Sequence, residues 1–233
     1  MKKLLTVAVL MTAGAALAAL ESSNEFGYLP VENLPKDAAN RKMLAIPFEN
    51  YGTAGEELNV SEIILTSTLK EGDELYIAKD GGYDVYKLAA NGTWTATSKK
   101  VTVKANGTIE TVDGTKATEA TIARGQAVWL KTEATIVSLM GQIASAKATV
   151  DIAGGNTQFA YNLVGPSTAT AGVALTDEFG ATGDRVMLAN GTTYVKTTAG
   201  WKTTTRDDAS KVVIPAGTGF WYLAKGTSKK LTM

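Results

Sequence analysis

The chain has 233 residues with 23 basic and 23 acidic side chains, 45% apolar residues, and neither histidine nor cysteine. Balanced charge leaves no basic field to collect phosphates, so nucleic acid is not an expected partner. The missing residue types exclude a Ser-His-Asp triad, a Cys-His pair, an ordinary zinc site and any disulfide, so stability must come from burial and strand pairing.

The N-terminus reads as a secretory signal. Lys2 and Lys3 form a positive n-region, Leu4 to Met11 an apolar run, and Ala16-Leu17-Ala18 a small-residue cleavage site. Cleavage is expected after Ala18, giving an exported protein whose destination is the periplasm, the cell surface or the exterior. The apolar stretch stops at Glu21 and no later run reaches about 18 apolar residues, so no membrane span is expected after cleavage.

The rest is rich in Thr, Val, Ala and Gly, a composition of half-buried strands and turns. In chain order, Val60 to Leu69 reads as a short helix capped by Asn59 or Ser61. Leu75–Ile77 and Tyr83–Leu88 alternate around Asp80-Gly81-Gly82 as a hairpin, and Asn91-Gly92 turns the chain into a strand holding Trp94. Lys104 to Thr118, with its Asn106-Gly107 and Asp113-Gly114 pairs, reads as an extra hairpin or long loop. Ile122 to Leu130 is an apolar strand carrying Trp129. The Ala-rich stretch Gln142–Asp151 fits either a strand or a short helix. Ala174 to Phe179 reads as a second short helix, Val186–Leu188 and Tyr194–Thr197 as a hairpin around Asn190-Gly191, and Ile214 to Tyr222 as a strand carrying Trp221.

Much of this order occurs twice. Gly72-Asp73-Glu74-Leu75-Tyr76-Ile77-Ala78 returns as Gly183-Asp184-Arg185-Val186-Met187-Leu188-Ala189, with Tyr83 and Tyr194 at the same spacing. Trp94 matches Trp201, and Ile122–Leu130 matches Ile214–Tyr222. The spacing shortens after Trp94, which makes 104–118 an insertion in the first copy. Upstream, Gly27 and Met43-Leu44-Ala45-Ile46-Pro47 parallel Gly141 and Tyr161-Asn162-Leu163-Val164-Gly165-Pro166.

The order Asn-Leu, Gly-Asp, Gly-x-Trp and Pro-x-Gly-x-Gly-Phe-Trp, best seen at Asn162-Leu163, Gly183-Asp184 and Pro215–Trp221, with the spacer missing at Gly200-Trp201, resembles a class of secreted bacterial β-rich proteins. The first copy departs from it, with Ala123 in place of the proline, followed by Arg124, and Ala127-Val128-Trp129 in place of Gly-Phe-Trp. The resemblance implies export and a β architecture, and carries no known activity.

The expected fold is all-β: two tandem antiparallel barrel- or sandwich-like modules, each with a short helix. The divisions are 1–18 for the signal, 19–138 for module one with its insertion at 104–118, and 139–233 for module two. Trp129 and Trp221, recurring in the last apolar strand of each copy, are assigned to the core. Tyr83, Tyr86, Trp94, Tyr194 and Trp201 are the candidate ligand-binding residues. Exposed, their rings would stack on sugars; buried, they would pair across strands over the core. Asp73 and Asp184, or Asp80 and Asp84, are the carboxylates that a hydrolase or calcium loop would need, though aspartate beside glycine is ordinarily turn chemistry. No cofactor, metal or catalytic residue is expected. The favoured function is a non-catalytic, exported structural or adhesive protein; a glycan-binding module and a carboxylate-dependent hydrolase are the alternatives. The partners considered are a cell-surface protein, a glycan, or a second copy of the chain.

Overall fold

The structure, a computed structural model, describes residues 26–49, 58–79, 82–103, 109–113 and 121–233. The expected signal peptide, the turn residues Asp80 and Gly81, and most of 104–118 lie outside these residues. The described residues are all-β, in several sheets, and among them none closes into a barrel.

The first half opens with β1 (Phe26–Glu32), β2 (Arg41–Ala45), β3 (Phe48–Glu49), β4 (Leu58–Asn59) and β5 (Ile64–Leu65). The hairpin β6 (Glu74–Lys79) and β7 (Gly82–Leu88) follows, then β8 (Trp94–Val103), β9 (Ile109–Asp113), β10 (Thr121–Ile122), β11 (Ala127–Lys131) and β12 (Ile136–Ile143). The second half holds β13 (Thr149–Ile152), β14 (Asn156–Val164), β15 (Val173–Ala174), β16 (Arg185–Met187) and β17 (Thr193–Thr197). It ends with β18 (Gly200–Thr203), β19 (Val213–Ile214), β20 (Phe220–Gly226) and β21 (Lys229–Thr232).

A six-stranded sheet runs β2-β11-β6-β7-β8-β9 and a five-stranded sheet runs β14-β20-β16-β17-β18. A four-stranded sheet is built on β12, which pairs with β1, β3 and β5, and three two-stranded antiparallel pairs join β4 with β10, β13 with β21 and β15 with β19. Pairing of Lys99–Val103 with Ile109–Asp113 adds β9 to the outer edge of the six-stranded sheet.

Each half has its own apolar core, one holding Leu44, Phe48, Leu75, Val128, Leu130 and Leu139, the other Val164, Leu175, Val186, Trp201, Phe220 and Tyr222. A small third cluster of Met43, Ala45, Ala127 and Leu163 lies where the large sheets meet. There the backbone crosses between halves: Ala45 N–H donates to Gly217 O (2.8 Å), Gly219 N–H to Met43 O (2.9 Å), and Gly165 N–H to Gly125 O (3.0 Å).

Both expected helices are corrected. Of Val60–Leu69 only Val60–Ile63 is α-helical, a single turn, and Thr66–Thr68 forms a 3-10 turn, because Ile64-Leu65 between them pairs with Ser138-Leu139. Val173–Ala174 is a strand and the chain through Phe179 turns without a helix; Val173 and Leu175 are buried alternately, the period of a strand. The division expected at Leu139 lies inside β12, which pairs with β1 along Phe26–Glu32. Gly27 and Gly141, placed in parallel by the repeat reading, are direct cross-strand partners. A Cβ on Gly141 would lie 2.7 Å from the Phe48 Cβ, so the glycine leaves room for that ring.

Candidate functional site

The two Gly-Asp turns have one construction. Gly72 and Gly183 take φ of 89° and 96°, a region that favours glycine. The Oδ2 of the next residue accepts a backbone N–H from upstream: Lys70 to Asp73 (2.9 Å) and Ala181 to Asp184 (2.8 Å). Asp73 also accepts the Thr132 hydroxyl at 2.6 Å. Asp184, 0% exposed, accepts in addition Lys225 N–H (3.0 Å), the Tyr222 hydroxyl and Lys229 Nζ (2.5 Å). Burial alone would push its carboxyl up; Lys229, Tyr222 and the amides of Lys225 and Ala181 outweigh that and hold it below the usual range. Both carboxylates are thus engaged by an amide of their own turn and by side chains packed beside it. Asp84 is half-buried on β7, and Asp80 lies outside the described residues. Among the described residues no group of three or more acidic side chains is placed to hold a metal ion.

The five candidate aromatics do not share a water-facing surface. Tyr86 and Trp94 are buried in the first core and Trp201 in the second, at 3%, 8% and 0% exposure. The Trp201 indole donates to Phe179 O at 2.9 Å and its ring lies 6.0 Å from the Phe179 ring. The Trp94 indole N–H is buried without a partner among the described residues. Tyr83 is half-buried against the third cluster, Tyr194 against the second core. Strand register explains the split. Tyr194 stands opposite Val186 and Tyr86 opposite Leu75, the same hairpin position, whereas Tyr83 lies closer to the tip, opposite Ala78. Tyr194 therefore corresponds to Tyr86, not to Tyr83.

Trp129 and Trp221, assigned above to the core, are half-buried on the other side of their strands. Val128 and Leu130 take the core-facing positions of β11, Phe220 and Tyr222 those of β20. Side chains alternate along a strand, so both tryptophans point away from those cores. Their rings lie 6.4 Å apart at 59° over Met43, Ala45, Ala127 and Leu163. Tyr161, 59% exposed, meets Trp221 edge-on at 5.8 Å, and the Arg41 guanidinium lies 5.6 Å from the Trp129 ring centre. Tyr83 and Tyr76 continue the surface edge-to-face at 6.4 Å. The result is an aromatic strip that crosses from one large sheet to the other.

Polar groups brace this strip. Asp37 holds Arg41 through Nε and Nη2, both at 2.7 Å. Burial raises the Asp37 carboxyl, and hydrogen bonds from the Arg41 amide and guanidinium and the Ala39 amide outweigh it, leaving it below the usual range. The Tyr76 hydroxyl donates to Glu74 at 2.5 Å, with Lys131 at 3.2 Å and Lys87 at 3.4 Å. Burial raises Glu74, but Tyr76 and the two lysines more than offset it and lower the carboxyl below its ordinary 4.5. A depressed carboxyl stabilises the fold above its unfolded pKa, and that contribution is lost as pH falls through the folded value. Glu74→Gln is therefore expected to cost about 1 kcal/mol or less at pH 7, the lysines being half exposed. Urea titrations of the two proteins should converge at a pH well below 4.5.

A groove of about 510 Å³ runs between β1 and residues 212–216, with Leu188 and Tyr194 among its walls. β1 lies at the edge of its sheet and carries Pro30, which has no N–H to offer an incoming strand.

The sequence signal for the tryptophan pair was the run Ala127-Val128-Trp129-Leu130 itself. Being apolar throughout, it hides which alternate positions face the core. Comparison with protein-family models, with curated proteins and with solved structures finds no match to this chain.

Proposed function

We propose that this is an exported, non-catalytic structural or adhesive protein, made of two tandem copies of one β unit whose junction presents the aromatic strip as a contact surface. Duplication is supported by pairing order: β2-β11-β6-β7-β8 in one sheet parallels β14-β20-β16-β17-β18 in the other. Met43 faces Trp129 as Leu163 faces Trp221, and Leu88 faces Trp94 as Lys196 faces Trp201. The bridges Leu44 with Thr218 and Val164 with Gln126 join the halves by reciprocal positions.

The observation that carries the adhesive reading is the strip. Single exposed tyrosines are ordinary. A row of contacting rings with an arginine at its rim is the composition of a contact surface, because aromatics and arginine give large area at low entropic cost. The glycan reading moves with it: Trp129, Trp221 and Tyr161 replace the hairpin aromatics as the rings available to stack on sugars.

A glycan array probed with the mature protein tests that reading. Binding is expected to fall at least about tenfold, roughly 1.4 kcal/mol, in Trp129→Ala/Trp221→Ala, with circular dichroism unchanged. Glycan binding that survives the double substitution would remove the strip from the account. A blank array with wild type would leave a protein rather than a sugar as the partner class.

A further inference from the structure

We propose that Lys229 and Asp184 become joined by an intramolecular isopeptide bond, an amide between the lysine Nζ and the aspartate Cγ. This goes beyond the adhesive reading and does not rest on it. Asp184 lies in the turn before β16 and Lys229 at the start of β21, the last strand. Their side chains meet with Nζ 2.5 Å from Oδ2, the lysine 21% exposed and the aspartate not at all. Tyr222 and Phe179 close the surroundings, their rings 5.8 Å apart, and Nζ lies 5.8 Å from the Tyr222 ring centre.

A charged pair in such a place has given up much of its hydration, and its mutual attraction has to make up the loss. Condensation removes both charges at once. The reaction balances without any other reagent. Nζ first passes one ammonium proton to Oδ2, 2.5 Å away, which frees its electron pair and turns the carboxylate into a carboxylic acid; the Nζ–Cγ bond then forms, the Cγ–Oδ2 bond breaks, and a second Nζ proton leaves with that oxygen as water, the third remaining on the amide nitrogen. The site's own groups serve each part of that sequence. Lys225 N–H, 3.0 Å from Oδ1, faces the oxygen on which negative charge builds as nitrogen adds to Cγ. The Tyr222 hydroxyl, hydrogen-bonded to Oδ2, can pass its proton to the departing oxygen and recover one from Nζ. Ala181 N–H on the same oxygen (2.8 Å) fixes the carboxyl in place.

The product would tie the C-terminal strand to the turn before β16, a covalent cross-link in a chain that has no cysteine for a disulfide. The first half has no such pair among the described residues: the hydrogen-bond partners of Asp73 there are the Lys70 amide and the Thr132 hydroxyl.

Intact-mass measurement on the purified protein decides the matter. Wild type is expected to be lighter than its sequence by one water, and tandem mass spectrometry of a digest is expected to find one branched peptide joining Lys229 to Asp184. Lys229→Arg keeps the charge, cannot form the amide, and is expected at full mass. Tyr222→Phe is expected to leave a measurable fraction unclosed. Wild type at full mass, with Lys229 and Asp184 recovered in separate peptides, would overturn the proposal. So would a water loss that persists in Lys229→Arg, since that marks a cyclic imide at an Asp-Gly pair such as Asp113-Gly114. Complete closure in Tyr222→Phe would overturn the role given to the tyrosine.

Discussion

Trp201→Ala is expected to destabilise the protein by about 3–5 kcal/mol, the range for removing a large buried aromatic. The side chain is fully buried, stacks near Phe179 and makes the indole hydrogen bond to Phe179 O, so truncation opens a cavity and orphans an acceptor together. Trp221→Ala, at a half-buried ring on the strip, is expected to cost only about 1–2 kcal/mol by lost burial. A finer contrast separates the paired tryptophans. Trp201→Phe loses a satisfied hydrogen bond, while Trp94→Phe removes a buried N–H that has no partner, so the second substitution should cost less. Urea denaturation followed by circular dichroism measures all four. Equal losses for Trp201→Ala and Trp221→Ala would contradict the assignment of one to the core and the other to the surface.

The second large effect is expected at the junction. A Cβ at Gly219 would lie 2.7 Å from the Ala127 Cβ and 3.0 Å from the Met43 carbonyl carbon; one at Gly165 would lie 2.4 Å from the Ala45 Cβ. Small residues face one another here because backbones of the two halves hydrogen-bond directly, leaving no space for side chains. Gly219→Val is expected to cost about 3 kcal/mol or more, at or beyond the upper end for overpacking, by forcing β2 away from β20. In calorimetry the single transition expected of wild type should broaden or split as the halves uncouple. Gly219→Ala should be milder, and adding Ala127→Gly should recover part of its loss, because that substitution moves one methyl across the same gap. A Gly219→Val protein as stable as wild type would mean that the halves are not held together at this crossing.

Turns were the most legible feature of the chain. Asn190-Gly191 and Asn91-Gly92 mark reversals because glycine takes positive φ and the asparagine side chain accepts a nearby amide; Gly92 and Gly191 have φ of 79° and 84°, and Asn91 and Asn190 each accept the N–H of the following threonine. The strands between such turns were legible too, as alternation around a fixed reversal. Faces were not. In Leu75–Ile77 the flanking polar residues suggest an inward side, but Ala127–Leu130 and Phe220–Leu223 are apolar at every position, and only the neighbouring strands decide which parity is buried. That is why Trp129 and Trp221 were misassigned, and why three of the five candidate aromatics proved to be core. Register was equally hidden: Tyr83 and Tyr194 share a spacing in sequence, yet the longer first hairpin puts Tyr86, not Tyr83, at the matching rung. The short helices failed for a related reason. Brief apolar runs suit both periods, and pairing of Ile64-Leu65 with β12 breaks the first into a helical turn, a strand and a 3-10 turn.

Equilibrium cosedimentation of the mature protein with isolated cell-envelope fragments, comparing wild type with a variant in which Tyr161, Trp129 and Trp221 are all alanine, reads the contact role of the strip most directly. Saturable binding is expected of wild type, and at least about a hundredfold weaker binding, near 2.8 kcal/mol, of the folded variant. Equal binding by the two proteins, or a wild type that stays in the supernatant at every concentration, would contradict that role.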